Sequence, residues 1–564
     1  MQSVTPVLLE SLARGWRLLR LSVDAPKRVP GWDWIGITAA NDKQARIYQR
    51  QLERARHRGL IPETTRTCAV PDPAGKRIGS GGATLNALRH LERQESGPLT
   101  DRAILLIHAG GDSKRLPWAS VPGKLFVPFP IQADPDHAVP TLFDHLLALA
   151  APLAARADRQ GIMLSLTGDV LPLFDADAIP NPENDALVVT TPASLDVAER
   201  HGVIVSNHGT AITRLLQKPD LDTMLEANAL TDGAARIDTG IYLFGGAAVE
   251  ALAAASVAPE DPLQTLLASD RECSLYEEIA WAMVPAHHKQ LAEHPIGTTL
   301  LDSLGSIRLH HHNTEQFAFI HLGSSAEYLA HLAGHWYGQL PHRILAECSE
   351  GASPAGYCYG AQVPAGAQTG DGTAVIGAKL TPGVRLGNRC LATDFDADDE
   401  PLKLPDNCCL WQLPVLVEED KHPRIVTLCC GIDDNPKEEL QNATFCNRSF
   451  RQWMQRHDVT ETELWPDDTP RTLWTARLFP ALLDDAGLAS LRWILRQKPD
   501  QPPPSQWREN PRLAMADLQR HLDLNRLFTR RDHLLTRLLI HALRQAVDGH
   551  ADRNIAALAK QLPS

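Results

Sequence analysis

Short apolar runs alternate with amphipathic segments along the first half of the chain. Runs of this length between polar or glycine residues are typical of buried strands, and they lie at 34–38, 103–107, 162–166 and 186–190. Helical spacing of apolar residues predicts one helix from Asn41 or Asp42 to about Arg58 and another from Thr141 to about Gln160. This alternation predicts an α/β domain on a doubly wound, Rossmann-like parallel sheet, with ligands at the carboxyl ends of its strands.

The pattern changes near Gly305, where glycines become frequent and long helical patterns stop. Two consecutive hexads carry Leu380 and Leu386 at their first position and Val384 and Cys390 at their fifth. A six-residue repeat of this kind predicts a left-handed parallel β-helix, short or irregular because only these two hexads are regular. The edge of a β-sandwich is the alternative that the pattern leaves open.

A second change comes near Phe450, after which helical spacing returns. The pattern therefore predicts three regions, namely an α/β domain over 1–304, a β-helix-like domain over 305–449 and a helical C-terminal region over 450–564. At the N-terminus, residues 1–20 predict an amphipathic helix and not a signal peptide, because charged residues interrupt the leucines.

Composition excludes several classes of protein. The chain has 564 residues, of which 43% are apolar and 22% charged, and its formal net charge is −13. These values exclude a disordered or fibrous chain and argue against a dedicated nucleic-acid binder, which needs a basic face. No run reaches the roughly 18 apolar residues of a membrane span, and the ten cysteines form no CxxC pair. We therefore expect a cytoplasmic protein with reduced thiols and with neither a nucleic-acid nor a membrane partner.

The clearest chemical signal follows the apolar run at 103–107. Residues 108–117 have the sequence His-Ala-Gly-Gly-Asp-Ser-Lys-Arg-Leu-Pro, and Gly123-Lys124 comes shortly afterwards. Glycines let a backbone approach a phosphate chain, and the two cations supply the charge that a triphosphate needs. An ordinary glycine turn with surface cations is the alternative, but glycines and cations at this spacing favour phosphate binding. The residues predicted to bind a nucleotide here are Gly110, Gly111, Asp112, Ser113, Arg115 and Lys124.

A second glycine-rich segment opens a predicted helix whose leucines share one face. The N-terminus of such a helix offers N–H groups to an anion or to the edge of a base. A flexible loop followed by a good helix cap explains this segment, taken alone, equally well. The residues concerned, which we also predict to bind the nucleotide, are Gly79, Ser80, Gly81 and Gly82.

Two aspartates stand beside predicted strands. Asp169 ends the phrase Leu-Thr-Gly-Asp, and Asp238 lies in Ile-Asp-Thr-Gly-Ile-Tyr. Mg²⁺ bound to substrate phosphates takes one or two carboxylates from a protein, so the pair predicts a magnesium site. For either acid alone, a solvated or capping role is more common. Between them, a predicted hairpin runs from His201-Gly202 to Lys218 and would aim this lysine at the same edge of the sheet.

These segments together resemble the sugar-1-phosphate nucleotidylyltransferases, which carry them in the same order. More narrowly, the chain resembles the L-fucokinase/fucose-1-phosphate guanylyltransferase family over about residues 30–480. The phrases behind this narrower resemblance are 108–117 as given above, Gly-Ser-Gly-Gly-Ala-Thr-Leu at 79–85, Gly-Ser-Ser-Ala-Glu-Tyr-Leu at 323–329, Gly-Ile-Asp-Asp-Asn-Pro-Lys at 431–437 and Leu-Trp-Thr-Ala-Arg-Leu-Phe-Pro at 473–480.

The resemblance implies an enzyme that forms GDP-L-fucose and pyrophosphate from GTP and L-fucose 1-phosphate. The anionic oxygen of the sugar phosphate would attack the α-phosphorus in line, so catalysis would consist of positioning and charge stabilisation. The catalytic residues would be Arg115 and Lys124 on the departing pyrophosphate, Asp169 and Asp238 on Mg²⁺, and Lys218 on the sugar phosphate. The residues expected around the sugar phosphate are His201, Gly202 and Lys218.

Several points stay open at this level. Another sugar 1-phosphate or another nucleotide would fit the same motifs, and a catalytically silent regulatory module for a separate sugar kinase is the alternative of a different class. Bifunctional members of the family continue into a galactokinase-like domain that the printed sequence does not contain. We therefore expect the kinase step on a separate fucokinase chain or on a removed half, and a homo-oligomer is compatible with the sequence.

Overall fold

The computed structural model of the chain describes residues 5–111, 113–129, 140–157, 161–207, 209–333, 356–417, 422–466, 468–483, 486–496 and 502–548. Packing groups the chain into two units. The first comprises Met1–Asp112 and Leu142–His321, and the second comprises Ser113–Thr141 and Leu322–Ser564. The division into 1–304, 305–449 and 450–564 stays a prediction. In the structure, the strands between 305 and 321 pair within the first unit.

The first unit combines strands with helices that pack against them. Its strands are β1 (Trp34–Ala39), β2 (Arg66–Pro71), β3 (Ala103–His108), β4 (Ile162–Thr167), β5 (Val170–Phe174), β6 (Ala186–Ala193), β7 (Gly202–Val205), β8 (Arg214–Gln217), β9 (Leu230–Thr231), β10 (Ala234–Gly245), β11 (Leu309–Asn313) and β12 (Phe317–His321). Its helices are α1 (Pro6–Asp24), α2 (Asp42–His57), α3 (Gly79–Gln94), α4 (Leu142–Arg156), α5 (Leu195–Ala198), α6 (Leu221–Glu226), α7 (Gly246–Ser256), α8 (Pro262–Ser269), α9 (Ala280–Ala282), α10 (His288–Leu291) and α11 (Gly297–Leu304).

The main sheet of this unit is mixed. Its strand order is β2-β1-β3-β4-β10-β6-β11, and the strands from β2 to β4 are parallel to one another. The predicted parallel α/β core is thus confirmed, but β10 runs antiparallel to both of its neighbours, β4 and β6. The chain reaches β10 through the β7–β8 hairpin and short helices. Antiparallel neighbours can be joined without a long crossover helix, so these short elements are sufficient to connect the reversed strand.

Helices cover the two faces of the parallel strands. Trp34 of β1 packs in a buried cluster with residues of α3, α7 and α11, whereas the next residue, Ile35, lies with Leu19 of α1 and Leu147 of α4. Successive side chains of a strand point to opposite faces, so a strand covered on both sides is apolar throughout. This explains why the predicted strands at 34–38, 103–107, 162–166 and 186–190 are mostly apolar along their whole length, and all of them are confirmed.

The predicted N-terminal amphipathic helix is α1. Thr5 caps it by accepting a hydrogen bond from the N–H of Leu8 at 3.4 Å. Its packing against α4 is so close that a Cβ at Gly15 would lie 2.2 Å from the carbonyl oxygen of Ala148. The helix predicted from Thr141 to about Gln160 is α4, which begins at Leu142 and ends at Arg156. Residues 158–160 lie outside the described ranges.

The second unit combines short parallel strands, longer antiparallel strands and helices. Its strands are β13 (Tyr357–Tyr359), β14 (Gln368–Thr369), β15 (Ala374–Ile376), β16 (Val384–Leu386), β17 (Leu391–Thr393), β18 (Leu402–Leu404), β19 (Cys408–Val415), β20 (Arg424–Gly431), β21 (Thr444–Phe445), β22 (Arg448–Ser449), β23 (Phe479–Leu482) and β24 (Arg512–Leu513). Its helices are α12 (Ser325–Ala333), α13 (Phe450–Arg456), α14 (Glu461–Leu464), α15 (Ala489–Leu495), α16 (Ser505–Glu509), α17 (Leu518–His521) and α18 (Leu524–Asp548).

The short strands form a coil whose successive turns pair in parallel. On one side β13, β15, β17 and β19 pair in that order, and on another side β14, β16 and β18 do so. Isolated parallel bridges from Gln362 to Lys379 and from Lys379 to Asp396 give a third side. The hexad residues Leu380, Val384, Leu386 and Cys390 are all buried. The left-handed sense of the coil stays a prediction.

Residues beyond 450 are richer in strand than the sequence pattern indicates. Helices α13 to α18 lie there, but β23 pairs with β20 and β24 pairs with β23, so the sheet continues into this region. The apolar run of β23 is too short for its periodicity to distinguish a helix from a strand. Pairing with β20 makes it a strand. Within the described ranges, no helix is both long and apolar enough to cross a membrane.

A largely buried ion pair ties α18 to the coil. Arg531 donates to both carboxylate oxygens of Asp394 at 2.6 Å, and the two side chains are 20% and 12% exposed. We expect Arg531→Met to lower the free energy of unfolding by about 3 kcal/mol in urea denaturation, because it leaves a buried carboxylate unpaired.

The matched control is Arg530→Met. Arg530 also contacts an aspartate at 3.0 Å, but this partner, Asp396, is 53% exposed. We expect a loss below about 1 kcal/mol there. Equal losses from both variants would contradict the role given to the Arg531 pair.

Candidate active site

Polar and glycine residues collect where the parallel strands of the main sheet end. Asp72 follows β2, Ala40 follows β1, Gly110 follows β3 and Asp169 comes shortly after β4. The strands that follow β1 and β3 in sequence, β2 and β4, lie on opposite sides of them in the sheet. Such a switch point leaves a crevice outside the carboxyl ends of β1 and β3, where α/β proteins bind ligands.

A cavity of about 500 Å³ occupies this crevice. It lies between the ends of β1 and β3, the start of α3 and the segment that precedes α9. Its lining residues are Thr38, Ala40, Asp72, Arg77, Gly79, Ser80, Ala83, His108, Gly110, Gly111, Glu272, Ser274, Tyr276, Glu277 and Glu278. The predicted residues Gly79, Ser80, Gly110 and Gly111 are therefore brought together in one cavity.

Side chains of α2 hold the glycine loop after β3. The side-chain amide of Gln44 donates to the carbonyl of Gly111 at 3.2 Å and accepts from the N–H of Ala40 at 2.7 Å. The hydroxyl of Tyr48 donates to the carbonyl of Ala109 at 3.0 Å. A Cβ at Gly110 would meet nothing closer than the Ala40 nitrogen at 4.0 Å. Side chains of α2 thus hold the loop on one side, and on the cavity side the two glycines expose their backbone. Its next residue, Asp112, lies outside the described residues.

The glycines at the start of α3 allow close packing of another segment, which is not the role predicted for them. The N–H groups of Gly81 and Gly82 both donate to the carbonyl of Cys273, at 2.8 and 3.1 Å. They are therefore engaged within the protein, which corrects the expectation that they are free for an anion or a base. A Cβ at Gly81 would lie 2.8 Å from the Cys273 sulfur and from the Ser274 carbonyl. Small residues are needed here because the 273–279 segment passes so closely.

One wall of the cavity is acidic. Burial raises the pKa of Asp72 to about 6, although the N–H of Ile78 and the charge of Arg77 oppose the shift. Glu278 accepts from the N–H of Ser274 at 2.6 Å, which fixes the turn at the 273–279 segment. Glu272 lies 3.5 Å from Arg77, and both of these side chains are more than half exposed. Of these acids, Glu278 is buried and holds the turn, whereas Asp72 is half-buried.

The two predicted metal-binding aspartates lie beside Tyr276. Asp238 accepts from the N–H of Gly240 at 2.7 Å and from the hydroxyl of Tyr242 at 2.5 Å. The register of β10 shifts between Asp238 and Tyr242, and such a bulge re-aims a side chain. Burial raises the pKa of Tyr276, and the charges of Asp238 and Asp169 raise it further. Both carboxylates therefore act electrostatically on one side chain that also lines the cavity.

The electrostatic setting of this pair suits a cation. Burial raises the pKa of Asp238, while its two hydrogen bonds and the charge of His201 act in the opposite direction. Asp169 is half-buried, and the nearer nitrogen of His321 is 3.8 Å from its carboxylate. Among the described residues, no group of three or more His, Cys, Asp or Glu could hold a metal ion. Two carboxylates still fit Mg²⁺, which takes its other ligands from water and substrate phosphates.

The predicted hairpin is β7–β8, and it places its two ends together. The N–H of Lys218 donates to the carbonyl of His201 at 3.1 Å. A Cβ at Gly202 would lie 3.4 Å from the Cβ of Asp238. The Lys218 charge lowers the pKa of Glu277, although burial and Glu278 raise it more. His201 and Gly202 thus lie beside Asp238, and the backbone of Lys218 lies against His201, while their use on a sugar phosphate stays a prediction. His208 in the predicted turn is outside the described residues.

The remaining predicted residues belong to the second unit. Ser113 has a φ of +51°. Arg115 has an exposed side chain, and its carbonyl accepts from the N–H of Ser325 at 3.0 Å. Lys124 is half-buried at the start of a short helical turn, Lys124–Phe126. Their predicted roles on the nucleotide phosphates stay predictions.

Several residues of the site were missed by sequence reasoning. Thr38, Asp72 and His108 end or follow strands, a position that could have suggested them. Tyr276 and Glu277 lie in a segment without a recognisable motif, and tertiary packing alone brings them to the cavity. The small residues at the start of α3 were a signal of a close approach, but the sequence did not say which segment approaches.

Comparison with known proteins gives consistent matches. The family model described as "Fucose pyrophosphorylase domain" matches residues 97–484. The chain is 35% identical to the bifunctional fucokinase/GDP-fucose pyrophosphorylase of Arabidopsis thaliana, over 90% of this chain and 52% of that protein. It is 30% identical to mouse fucose-1-phosphate guanylyltransferase over 35% of each chain. It is 25% identical to the L-fucokinase/L-fucose-1-P guanylyltransferase of Bacteroides fragilis, over 82% of this chain and 47% of that protein. The chain spans about half the length of the two bifunctional relatives.

The close approach at Gly81 gives a prediction for stability. We expect Gly81→Ala to lower the free energy of unfolding by about 2 kcal/mol in urea denaturation, because the new methyl group forces the 273–279 segment away. Gly110→Ala is the matched control, since its Cβ has open space, and we expect it to change stability by less than about 0.5 kcal/mol. A neutral Gly81→Ala variant would contradict the packing described here.

Proposed function

The chain belongs to the fucose pyrophosphorylase family, and on that premise we propose that it transfers the GMP group of GTP to L-fucose 1-phosphate, releasing pyrophosphate. One observation supports the proposal above all. Tyr276 and Glu277 line the cavity at the switch point, and their pKa values respond to the charges of Asp169 and Asp238 and of Lys218, respectively. A nucleotide site and a phosphate-transfer site would therefore adjoin, as this reaction requires.

The proposed chemistry needs no nucleophile from the protein. The phosphate of the sugar is largely dianionic near neutral pH, since its second pKa is about 6. One of its oxygens attacks the α-phosphorus of GTP, and the bond from that phosphorus to the bridging oxygen of the β-phosphate breaks. Pyrophosphate leaves with the electron pair. Catalysis then rests on in-line positioning and on stabilisation of the phosphate charges.

Residues at the strand ends divide this work. We propose that the bare backbone of Gly110 and Gly111 lies against the nucleotide phosphates. Lys218 holds the sugar phosphate, and its position against the His201 carbonyl keeps the sugar beside the hairpin. Arg115 and Lys124 are proposed, on the family resemblance, to bind the departing pyrophosphate.

Asp169 and Asp238 are the residues that would hold Mg²⁺. The ion would polarise the α-phosphate and offset the negative charge of the substrates. Tyr242 and Gly240 orient the Asp238 carboxylate by hydrogen bonds. A left-handed coil, a cytoplasmic location, a separate fucokinase and a homo-oligomer remain predictions beside this proposal.

The direct test is a product assay with the purified chain. GTP, L-fucose 1-phosphate and Mg²⁺ should give pyrophosphate and GDP-L-fucose in equal amounts. The screen includes the other three nucleoside triphosphates and several other sugar 1-phosphates, so a different substrate would be found. Absence of product with every pair would contradict the proposal and leave a regulatory module as the alternative.

The acid pair gives a prediction for turnover. We expect Asp169→Asn and Asp238→Asn each to lower kcat about 100-fold or more, which corresponds to about 3 kcal/mol of transition-state stabilisation. Circular dichroism and thermal melting should show that both variants remain folded. Asp222→Asn, at an exposed aspartate of α6, is the control and should keep wild-type turnover. Wild-type kcat in either acid-pair variant at saturating Mg²⁺ would remove that residue from the site.

The position of Lys218 gives a prediction for substrate affinity. We expect Lys218→Ala to raise KM for the sugar phosphate about 10-fold or more, because a charge-assisted contact to phosphate is lost, and to change KM for GTP much less. Lys289→Ala removes an exposed lysine of α10 and should change neither value. An equal rise in both KM values after Lys218→Ala would place this lysine elsewhere.

A further inference from the structure

The cavity at the switch point is lined by acceptors and is poor in positive charge. Among the residues that line it, four carboxylates face one cation, Arg77, whose side chain is 73% exposed. A wall of this kind repels phosphate groups. It suits an uncharged group that carries several N–H donors, which is the character of some nucleobase edges.

The hydrogen bonds around His108 identify the hydroxyl oxygen of Thr38 as a further acceptor in this cavity. Burial lowers the pKa of His108 to about 4, so near neutral pH its imidazole carries one proton. The hydroxyl of Thr84 donates to the Ser80 carbonyl at 2.9 Å, so it must accept from Nε2 of His108, 3.2 Å away. Nδ1 is then an acceptor, and the hydroxyl of Thr38 donates to it at 3.4 Å. The free lone pair of the Thr38 oxygen is left to accept from a ligand.

The order of the strands fixes where a base would lie. Asp72 follows β2, the glycine loop follows β3 and Asp169 follows β4. Neighbouring strands are about 4.8 Å apart, so the ends of β2 and β4 are separated by about 14 Å. A nucleotide with its phosphates at the glycine loop and its α-phosphorus towards Asp169 therefore has its base at the β2 end, beside Asp72 and Thr38.

We propose that Asp72 selects guanine, its carboxylate accepting from N1–H and from one hydrogen of the 2-amino group while Thr38 accepts from the other. This inference rests on the proposed function, since it names the residue that sets the base specificity of the same site. Adenine has no hydrogen on N1, and the pyrimidines lack two adjacent donors of this kind. The N–H of Ile78 donates to the Asp72 carboxylate, whose remaining lone pairs are sufficient for both contacts.

Xanthosine triphosphate (XTP) tests the assignment because its base differs from guanine at C2, the position that the proposal places against Asp72 and Thr38. Xanthine carries an oxygen at C2 where guanine carries the amino group, so it matches an asparagine amide and clashes with a carboxylate. The binding constants of GTP and XTP are measured by calorimetry without sugar phosphate. We expect the wild type to prefer GTP at least about 30-fold, because binding XTP sets the C2 oxygen against a carboxylate oxygen that is left without a donor. Asp72→Asn should bind GTP at least about 10-fold more weakly and XTP more tightly than the wild type.

Glu272→Gln is the matched control. Glu272 lines the same cavity but is half exposed and lies against Arg77. This variant should keep the wild-type preference for GTP. If Asp72→Asn keeps that preference too, or if Glu272→Gln loses it as Asp72→Asn should, the assignment to Asp72 is wrong.

A measurement on the unaltered protein keeps the test independent of how the variants fold. Inosine triphosphate lacks only the 2-amino group, and the wild type should bind it at least about 10-fold more weakly than GTP. Equal affinities would overturn the inference. Because these are binding measurements, they separate the two proposals. Preferential GTP binding by a chain that forms no GDP-sugar would refute the proposed function and leave the base assignment standing.

Discussion

The hydrogen bonding of β2, β1, β3 and β4 into one parallel array is the constraint on which the site depends. Parallel pairing brings the carboxyl ends of these strands to a single edge, and the switch between β1 and β3 opens the cavity there. The antiparallel pairing of β10 with β4, in which Tyr242 lies opposite Ser165, then places Asp238 towards the same edge as Asp169. Residues far apart in the sequence become neighbours because the backbone hydrogen bonds between the strands fix which residues lie side by side.

The two glycine-rich segments show that similar composition serves different physical needs. Gly110 and Gly111 present bare backbone to the cavity, and Gln44 and Tyr48 hold their loop from behind. Gly81, in contrast, is small because the 273–279 segment crosses the start of α3 within van der Waals distance. That crossing positions Tyr276 and Glu277, so the second segment shapes the site through packing and not through its own N–H groups.

The sequence predicted what local pattern determines. Apolar runs identified the buried strands and the β7–β8 hairpin, whereas the motifs next to those strands led to Asp169 and Asp238, whose role in holding a metal stays a prediction. The direction of β10 was not predicted, because a reversed strand has the same apolar pattern as a parallel one. Tyr276 was missed because only tertiary packing brings it to Asp238. Asp72 was missed because an aspartate after a strand is common, and only its half-buried place in the cavity and its raised pKa mark it out.

We expect the base, the phosphates and the fucose of the product to follow the order of the strands along the sheet edge. A crystal structure of the chain with GDP-L-fucose tests this order most directly. The account predicts the guanine beside Asp72 and Thr38, the diphosphate over Gly110 and Gly111, and the fucose towards Lys218. A ligand bound in the opposite direction, with its base at the β7–β8 hairpin, or bound outside this cavity, would contradict it.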